Sequence, residues 1–414
     1  MTPDKTILIV GTYDTKDEEL TYLADCIRAQ GGGVMSMDVS VLGDPKSPVD
    51  VSKHDVAQAG GHTIQDAIDS GDENQAMQIM AQGAAARTLA LHQSGRIDGV
   101  IALGGTMGTD LALDVYAALP LGVPKVVVST VSFSAMLPPE RLAADIQMIL
   151  WAGGLYGLNS VCKSSLSQAA GAVLGAARAV EPPKRDRPLI GMTSFGKTIL
   201  HYMVTLKPEL ERRGYEVAVF HATGMGGRAF ESLAAQGAFA CVMDFATQEV
   251  VNHHMGSGIS AGADRMTNAG RRGIPQIVSS ACYDLVDLIG WHPIPERLAG
   301  RPTHAHNRLL TSVILTTEER REIAQVLGEK LAQATGPSVF ILPKGGGNEW
   351  DRPGAPLHDA DGLAAFNQAM VQAIPDTTDL RVLDCHINDK AFAQAVLDVF
   401  DDWVAQGVVP KGVS

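Results

Sequence analysis

The feature that most narrows the folds open to this chain is a plan repeated along its length. A short apolar run is followed by a loop of glycine, threonine and aspartate, and then by apolar residues at helical spacing. The clearest instance is Val100-Ile101-Ala102-Leu103-Gly104-Gly105-Thr106-Met107-Gly108-Thr109-Asp110, followed by Leu111, Leu113, Val115 and Tyr116. Strand, loop and helix in that order build a parallel sheet, because a parallel neighbour is reached only through a crossover. In such a sheet the loop after the strand lies at the carboxyl edge, where ligands bind and backbone N–H groups can face an anion. The glycine spacing matches neither the Walker loop nor the dinucleotide fingerprint. Taken alone, these glycines suit a tight turn as well as a phosphate cradle.

The plan recurs at residues 7–10, which run into Gly11-Thr12-Tyr13-Asp14-Thr15-Lys16-Asp17-Glu18-Glu19 and then Leu20, Leu23, Ala24 and Ile27. Thr12 and Thr15 offer hydroxyl donors, Lys16 a mobile cation, and Asp14 a carboxylate able to hold a metal ion. The same residues suit the capping and charging of a helix start. A second apolar run, 34–39, contains Asp38, placed either as a ribose-binding acid or as a turn former. Residues 53–94 read as helix interrupted at Gly60-Gly61 and Ser70-Gly71-Asp72. The run 124–129 leads into Ser129-Thr130-Val131-Ser132-Phe133-Ser134, a third polar strand end expected on the same edge. The small-residue helix expected at 164–179 suits close packing against a sheet or a second subunit, so a homo-oligomer, dimer or higher, is expected.

Glu181-Pro182-Pro183-Lys184-Arg185-Asp186-Arg187-Pro188 is proline-rich and charged between apolar segments, the composition of a linker. It divides the chain into an N-terminal α/β domain, 1–180, a linker, 181–188, and a C-terminal α/β domain, 189–414. Directly after it, Leu189-Ile190-Gly191-Met192-Thr193-Ser194-Phe195-Gly196-Lys197-Thr198 restarts the plan, so the halves read as distant duplicates. Runs at 217–220, 238–243, 276–279, 339–342 and 380–383 each end in a polar loop, and Phe392, Val396, Val399, Phe400 and Trp403 form a helical core stripe. The expected fold class is α/β in both domains, with parallel sheets flanked by helices and a ligand cleft at the strand carboxyl ends.

A net charge of −13 leaves no basic face for nucleic acid as a general partner. No apolar run reaches the roughly 18 residues of a membrane helix. Five scattered cysteines and the absence of a signal-peptide apolar region before residue 6 lead to the expectation of reduced thiols in the cytoplasm. Acid–base candidates are His221 and His386, each after a strand, with Glu249, Asp284 and His306; Asp264-Arg265 lies in the same half. Such charges serve either proton transfer or a structural ion-pair network. His253-His254 diverge by about 100° on a helix and are expected at the surface. His304-Ala305-His306 lacks a third ligand at a fixed spacing, so no metal site is assigned. No G-x-S-x-G elbow or cysteine signature supports nucleophilic hydrolysis.

Gly11-Thr12-Tyr13-Asp14-Thr15-Lys16, Gly104-Gly105-Thr106-Met107-Gly108-Thr109, Leu119-Pro120-Leu121-Gly122-Val123-Pro124-Lys125, Ser129-Thr130-Val131, Phe220-His221-Ala222-Thr223-Gly224-Met225-Gly226-Gly227 and His386-Ile387-Asn388-Asp389 stand in this order along the chain. Together they resemble the "Tm-one"-like ATP-binding family, named for the tomato tobamovirus-resistance protein. The resemblance implies two Rossmann-like domains, with ATP in the first; with Asp14 as a candidate metal carboxylate, magnesium is the candidate companion of the nucleotide. It places the phosphates near Gly11, Thr12, Asp14, Thr15 and Lys16 and near Gly104, Gly105, Thr106, Gly108 and Thr109, with Ser129 and Thr130 alongside. The segments Trp151-Ala152-Gly153-Gly154, Val313-Ile314-Leu315-Thr316-Thr317 and Lys344-Gly345-Gly346-Gly347-Asn348-Glu349 depart from the family pattern. The expected function is binding of ATP or a related phosphorylated ligand, coupled to an unidentified reaction on a small acid or sugar-derived metabolite in an interdomain cleft. The alternative is a nucleotide-gated binding module without catalysis.

Overall fold

The computed structural model describes residues 5–151, 157–184 and 186–413. The departing residues Ala152, Gly153 and Gly154, and Arg185 of the expected linker, lie outside the described residues. The chain separates into two compact units, Met1–Pro183 and Lys184–Ser414.

In the first unit, β1 (Thr6–Gly11), β2 (Gly33–Asp38), β3 (Gly99–Gly104), β4 (Lys125–Ser129) and β5 (Ile146–Leu150) form one sheet in the order β2-β1-β3-β4-β5. Every pairing is parallel. The two-residue period of a strand explains why nearly every residue of the central strands is apolar. Ile7, Ile9, Ile101, Leu103, Val126 and Val128 meet the helices Asp17–Ala29 and Ser160–Ala179. Leu8, Val10, Val100, Ala102 and Val127 pack on the other side with residues of Lys53–Ala59, Glu73–Gln93 and Thr106–Ala117. Each fully buried side chain of this kind contributes about 1.5–3 kcal/mol. The small-residue helix spends its stripe of Leu166, Ala169, Ala170 and Val173 on this core. The edge strand β5 escaped the sequence reading, because Ile146-Gln147-Met148-Ile149-Leu150 is only partly buried and lacks the continuous apolar burial of the central strands.

Lys125 shows why a lysine can start a buried strand. Its ammonium donates to the carbonyls of Pro120 at 2.8 Å and Val123 at 3.1 Å and to both Asp145 oxygens at 2.8 Å. Asp145 in turn accepts from the Gly122 N–H at 2.9 Å. The stretch from Leu119 to Lys125 is therefore a clamped turn.

The second unit contains β6 (Leu189–Ser194), β7 (Glu216–His221), β8 (Cys241–Ala246), β9 (Gln276–Ala281), β10 (Leu285–Ile289), β11 (Thr303–Ala305), β12 (Leu310–Ile314), β13 (Ser338–Pro343) and β14 (Asp379–Leu383). Six of them form a parallel sheet in the order β14-β13-β9-β8-β6-β7. Counted within its own sheet, each unit begins 2-1-3-4-5, so the same winding occurs twice and both units are Rossmann-like in class. The sequence reading lacked the antiparallel sheet β10-β12-β11, which is inserted between β9 and β13. It also ended the third parallel strand too early: Asp244-Phe245-Ala246 is strand, not loop. The last helix, Lys390–Ala405, buries the expected stripe of Phe392, Val396, Val399, Phe400 and Trp403. No helix among the described residues is long and apolar enough to cross a membrane.

Replacing Lys125 by methionine leaves the Asp145 carboxylate and two carbonyls without their cation. The substitution is expected to lower the unfolding free energy by about 3 kcal/mol. Chemical denaturation of the purified variant measures it, and a loss below about 1 kcal/mol would remove the clamp from this account.

Candidate functional site

In a sheet wound 2-1-3-4-5, the helices after the first and third strands leave on opposite faces and open a crevice at the carboxyl ends of those strands. In the first unit a cavity of about 730 Å³ lies there. One end is polar, built by Thr12, Asp14, Thr15 and Lys16 after β1 and by Gly104, Gly105, Thr106 and Gly108 after β3. Apolar side chains line much of the rest of the cavity, Val39, Val41 and Leu42 after β2 and Ile68, Ala76, Met77 and Met80.

The polar end is rich in uncommitted donors. The helix Thr106–Ala117 starts from Gly105, and Asp17–Ala29 starts from Lys16, neither with a capping side chain. Helices starting after Ser52, Thr63, Asp72 and Asn159 in the same unit all have one. Of the helix starts in the cavity lining, Glu73–Gln93 is capped by Asp72, whereas Thr106–Ala117 and Asp17–Ala29 leave their first N–H groups without a side-chain acceptor, at the positive end of each dipole. The Lys16 ammonium reaches only the Thr15 carbonyl, at 3.5 Å, and forms no ion pair among the described residues. The Thr12 and Thr15 hydroxyls lie 3.1 Å apart. At Gly104 the absent Cβ has a packing reason: it would stand 2.8 Å from the Gly108 Cα, so glycine lets the helix begin against the strand end.

Behind this polar end, Asp38 is buried and acts as the turn former. Its carboxylate accepts from the N–H groups of Tyr13 at 3.2 Å and Ser40 at 2.9 Å. The Ser40 hydroxyl bridges Asp38 and Asp14, 3.0 Å from the latter. The loop after β1 is thereby tied to the loop after β2, and Asp14 is held at the cavity wall.

Three residues expected near the phosphates, Thr109, Ser129 and Thr130, do not line this cavity. The Thr109 hydroxyl lies 2.7 Å from the Gly105 carbonyl and 2.6 Å from the Ser129 hydroxyl, which accepts from the Val131 N–H at 3.0 Å. Both side chains are buried and neither lines the cavity. Thr130 is exposed and also outside it. The end of β4 does adjoin the β3 loop, since Ser129 pairs with Gly104 and the Thr130 N–H donates to the Gly104 carbonyl at 3.3 Å, but its hydroxyls face Thr109 or solvent and not the cavity.

In the second unit the acid–base candidates separate into three groups. Glu249 is fully buried and accepts from the N–H groups of Gly224 at 2.6 Å and Gly227 at 3.0 Å. Its other oxygen accepts from Arg265 at 2.7 Å, and Arg265 also holds Asp244 at 2.5 and 2.7 Å and Glu231 at 3.3 Å. A Cβ on Gly227 would collide with the Glu249 carboxylate. This glycine loop carries its own anion, and Glu249 belongs to a structural ion network. Burial pushes the Glu249 carboxyl up against the pull of Arg265, and pushes Glu231 up to about 7.

Asp284 and His386 meet in a second buried group at the ends of β9, β13 and β14. The Asn348 amide donates to Asp284 at 2.9 Å, and burial, followed by the charge of Asp351, pushes Asp284 up to about 6. The His386 Nδ1 accepts from the Asn388 N–H at 3.1 Å, which assigns the ring proton to Nε2. That atom lies 2.9 Å from the Asn348 carbonyl and 3.1 Å from Asp351. His221 and His306 form the third group, both exposed. Burial, then the charge of His306, holds the His221 imidazole below its ordinary range. None of the five lines the 730 Å³ cavity. His253 and His254 are exposed as expected, and His304 lies against the Trp350 ring at 4.0 Å. Among the described residues no group of three or more His, Cys, Asp or Glu side chains could hold a metal ion. The apolar wall of the cavity went unread, although Ala76, Met77 and Met80 already shared one face of an expected helix.

Fold and site define a two-domain α/β protein with a ligand-sized crevice at the turning point of its first sheet. The chain belongs to the Uncharacterised protein family (UPF0261), matching its N-terminal domain over residues 5–182 and its C-terminal domain over residues 187–404. It is 55% identical over 406 residues to a UPF0261 protein of Brucella melitensis, covering 98% of this chain and 97% of that one. A UPF0261 protein of Clostridium tetani is 36% identical over 395 residues, 95% and 97% of the two chains. The ToMV resistance protein Tm-1(GCR237) of Solanum lycopersicum is 28% identical over 425 residues, 95% of this chain and 55% of that one.

One buried acid gives the second unit a pH signature. Asp287 on β10 is fully buried, accepts from the Ser312 hydroxyl at 2.6 Å, and is pushed up to about 6 by burial. Between about pH 4 and pH 6 the folded chain keeps a proton that the unfolded chain releases, so stability falls as pH rises through that window. Asp287→Asn cannot ionise and is expected to flatten the fall by up to about 3 kcal/mol, at 1.36 kcal/mol per pH unit. Unfolding free energies of both proteins across that range check it.

Proposed function

We propose that the first unit binds ATP or a closely related phosphorylated ligand, and that binding is coupled to a reaction on a small metabolite. The observation that carries this reading is the crevice itself, which joins two uncapped helix starts and the unpaired Lys16 to an apolar pocket. Phosphates belong at the polar end, where backbone N–H groups and an ammonium face them. A heterocyclic base belongs against Ile68, Met77 and Met80. The lining carries Asp14, Asp72 and Glu73 against Lys16, so a polyphosphate enters most readily with a divalent cation. Magnesium takes one or two carboxylates and completes its shell with phosphate oxygens and water, and Asp14 is the carboxylate beside the donors.

A specific observation favours the non-catalytic alternative. Glu249, Asp284 and His386 are all committed to buried clusters, which removes three of the five acid–base candidates from ready contact with a substrate. On that reading the nucleotide gates a binding surface. The tomato relative is named for resistance to ToMV, a name that specifies no reaction.

Thermal unfolding of the purified protein with ATP, ADP, AMP and NAD, with and without magnesium, tests the nucleotide site. A ligand at 100 times its Kd stabilises by about 2.7 kcal/mol. Lys16→Ala is expected to weaken ATP binding by about tenfold or more, the loss of one charge-assisted hydrogen bond. Thr130→Ala is expected to change nothing. Absence of a shift with every nucleotide overturns the reading. Phosphate release on addition of a metabolite pool supports the enzyme, and saturable binding without turnover supports the module.

A further inference from the structure

A second cavity, of about 670 Å³, adjoins the first within the same unit. Thr106 and Met107, at the uncapped start of the helix Thr106–Ala117, line both, as do Asp72, Glu73 and Met77. The two cavities therefore meet at the helix start where the phosphates of the first ligand are proposed to lie. We infer that this second cavity is the site of a co-ligand, a small polyol or amino alcohol without negative charge, held beside the phosphate end of the first ligand. The inference rests on the nucleotide reading of the first cavity for the identity of that neighbour, but the second site is defined by its own residues.

Charge selects the ligand class. Arg141 is the only cationic side chain in the lining among the described residues, and it is not free. It pairs with Asp110, donates to the Asp110 carbonyl at 2.9 Å and donates to Asp114 at 2.7 Å. Asp72, Glu73 and Asp110 add carboxylates, and no counterpart of Lys16 faces them. An acidic metabolite would enter against this field, whereas hydroxyl or ammonium groups find acceptors. Leu113, Val131, Leu137 and Pro138 supply an apolar flank for a carbon skeleton.

The outer wall is a built loop. After β4 the chain turns through Ser134 N–H to Val131 carbonyl and Leu137 N–H to Ser134 carbonyl, both 3.1 Å, and Arg141 ties it back to the helix. Phe133 in this loop has φ +63° and is 76% exposed. A bulky residue held in the left-handed region without burial marks a backbone kept for something other than packing. From this loop Val131, Met136, Leu137 and Pro138 line the cavity.

The test uses the full chain, with and without saturating ATP and magnesium. Saturation-transfer NMR and thermal shift are read for glycerol, erythritol, ribitol and ethanolamine against malate, citrate and glycerol 3-phosphate. At least one neutral or amine compound is expected to bind more tightly than every anion. Val131→Trp, which fills the cavity from a half-buried position, is expected to weaken that compound by about tenfold through steric exclusion while leaving nucleotide affinity within about twofold. Met136→Trp, at an exposed position of the same wall, repeats the block should Val131→Trp unfold. Tighter binding of the anions, binding unaffected by both substitutions, or no binding of any polyol or amino alcohol overturns the inference. Co-ligand binding that persists where no nucleotide binds would instead discard the nucleotide reading and leave the second site standing.

Discussion

The first unit depends on a reversal of winding. Because β1 and β3 are neighbours while their helices depart to opposite faces, no backbone element covers the gap between their carboxyl ends. Whatever fills that gap must come from loops or from a ligand. Short loops of glycine and threonine leave it open, and the absence of capping side chains on the helices that follow β1 and β3 leaves it rich in donors. Cavity, charge and helix termini thus follow from one topological fact, and Lys16 and Asp14 gain their meaning from it.

The second unit repeats the winding and resolves a comparable demand internally. Its glycine-flanked helix start after β7 is satisfied by the carboxylate of Glu249, whose charge is in turn met by Arg265. A guanidinium surrounded by three acids is costly to desolvate, and such clusters hold only when every donor and acceptor is used. The glycine loops that border an open crevice in one unit admit a resident side chain in the other. Similar loop composition therefore does not imply similar occupancy, and the duplication seen in strand order does not extend to the site.

Much of the architecture was legible because it is written in local periods. Apolar runs placed the parallel strands, and Gly60-Gly61 and Ser70-Gly71-Asp72 divided the helical stretch into Lys53–Ala59, Ile64–Asp69 and Glu73–Gln93. The loops after β1 and β3 could be named as partners because both follow strands of one sheet. What stayed hidden is non-local. Nothing in Ser129-Thr130 reveals that β4 lies beyond β3, or that the Ser129 hydroxyl is spent on Thr109. Glu249, Asp284 and His386 carry the residue types of acid–base chemistry, but only the fold shows their partners. The antiparallel insertion was missed because its strands are short, and β11 is partly exposed.

Leaving two helices uncapped has a cost beyond affinity. A capping side chain is worth typically about 1 kcal/mol, and the first unit forgoes it at two helix starts that border the same crevice. That stability is returned only when a bound molecule supplies the missing acceptors. The ligand-free chain is then the form more often caught partly open by proteases. A molecule that supplied those acceptors would lengthen the life of the chain against proteolysis by the same contacts that hold it in the crevice.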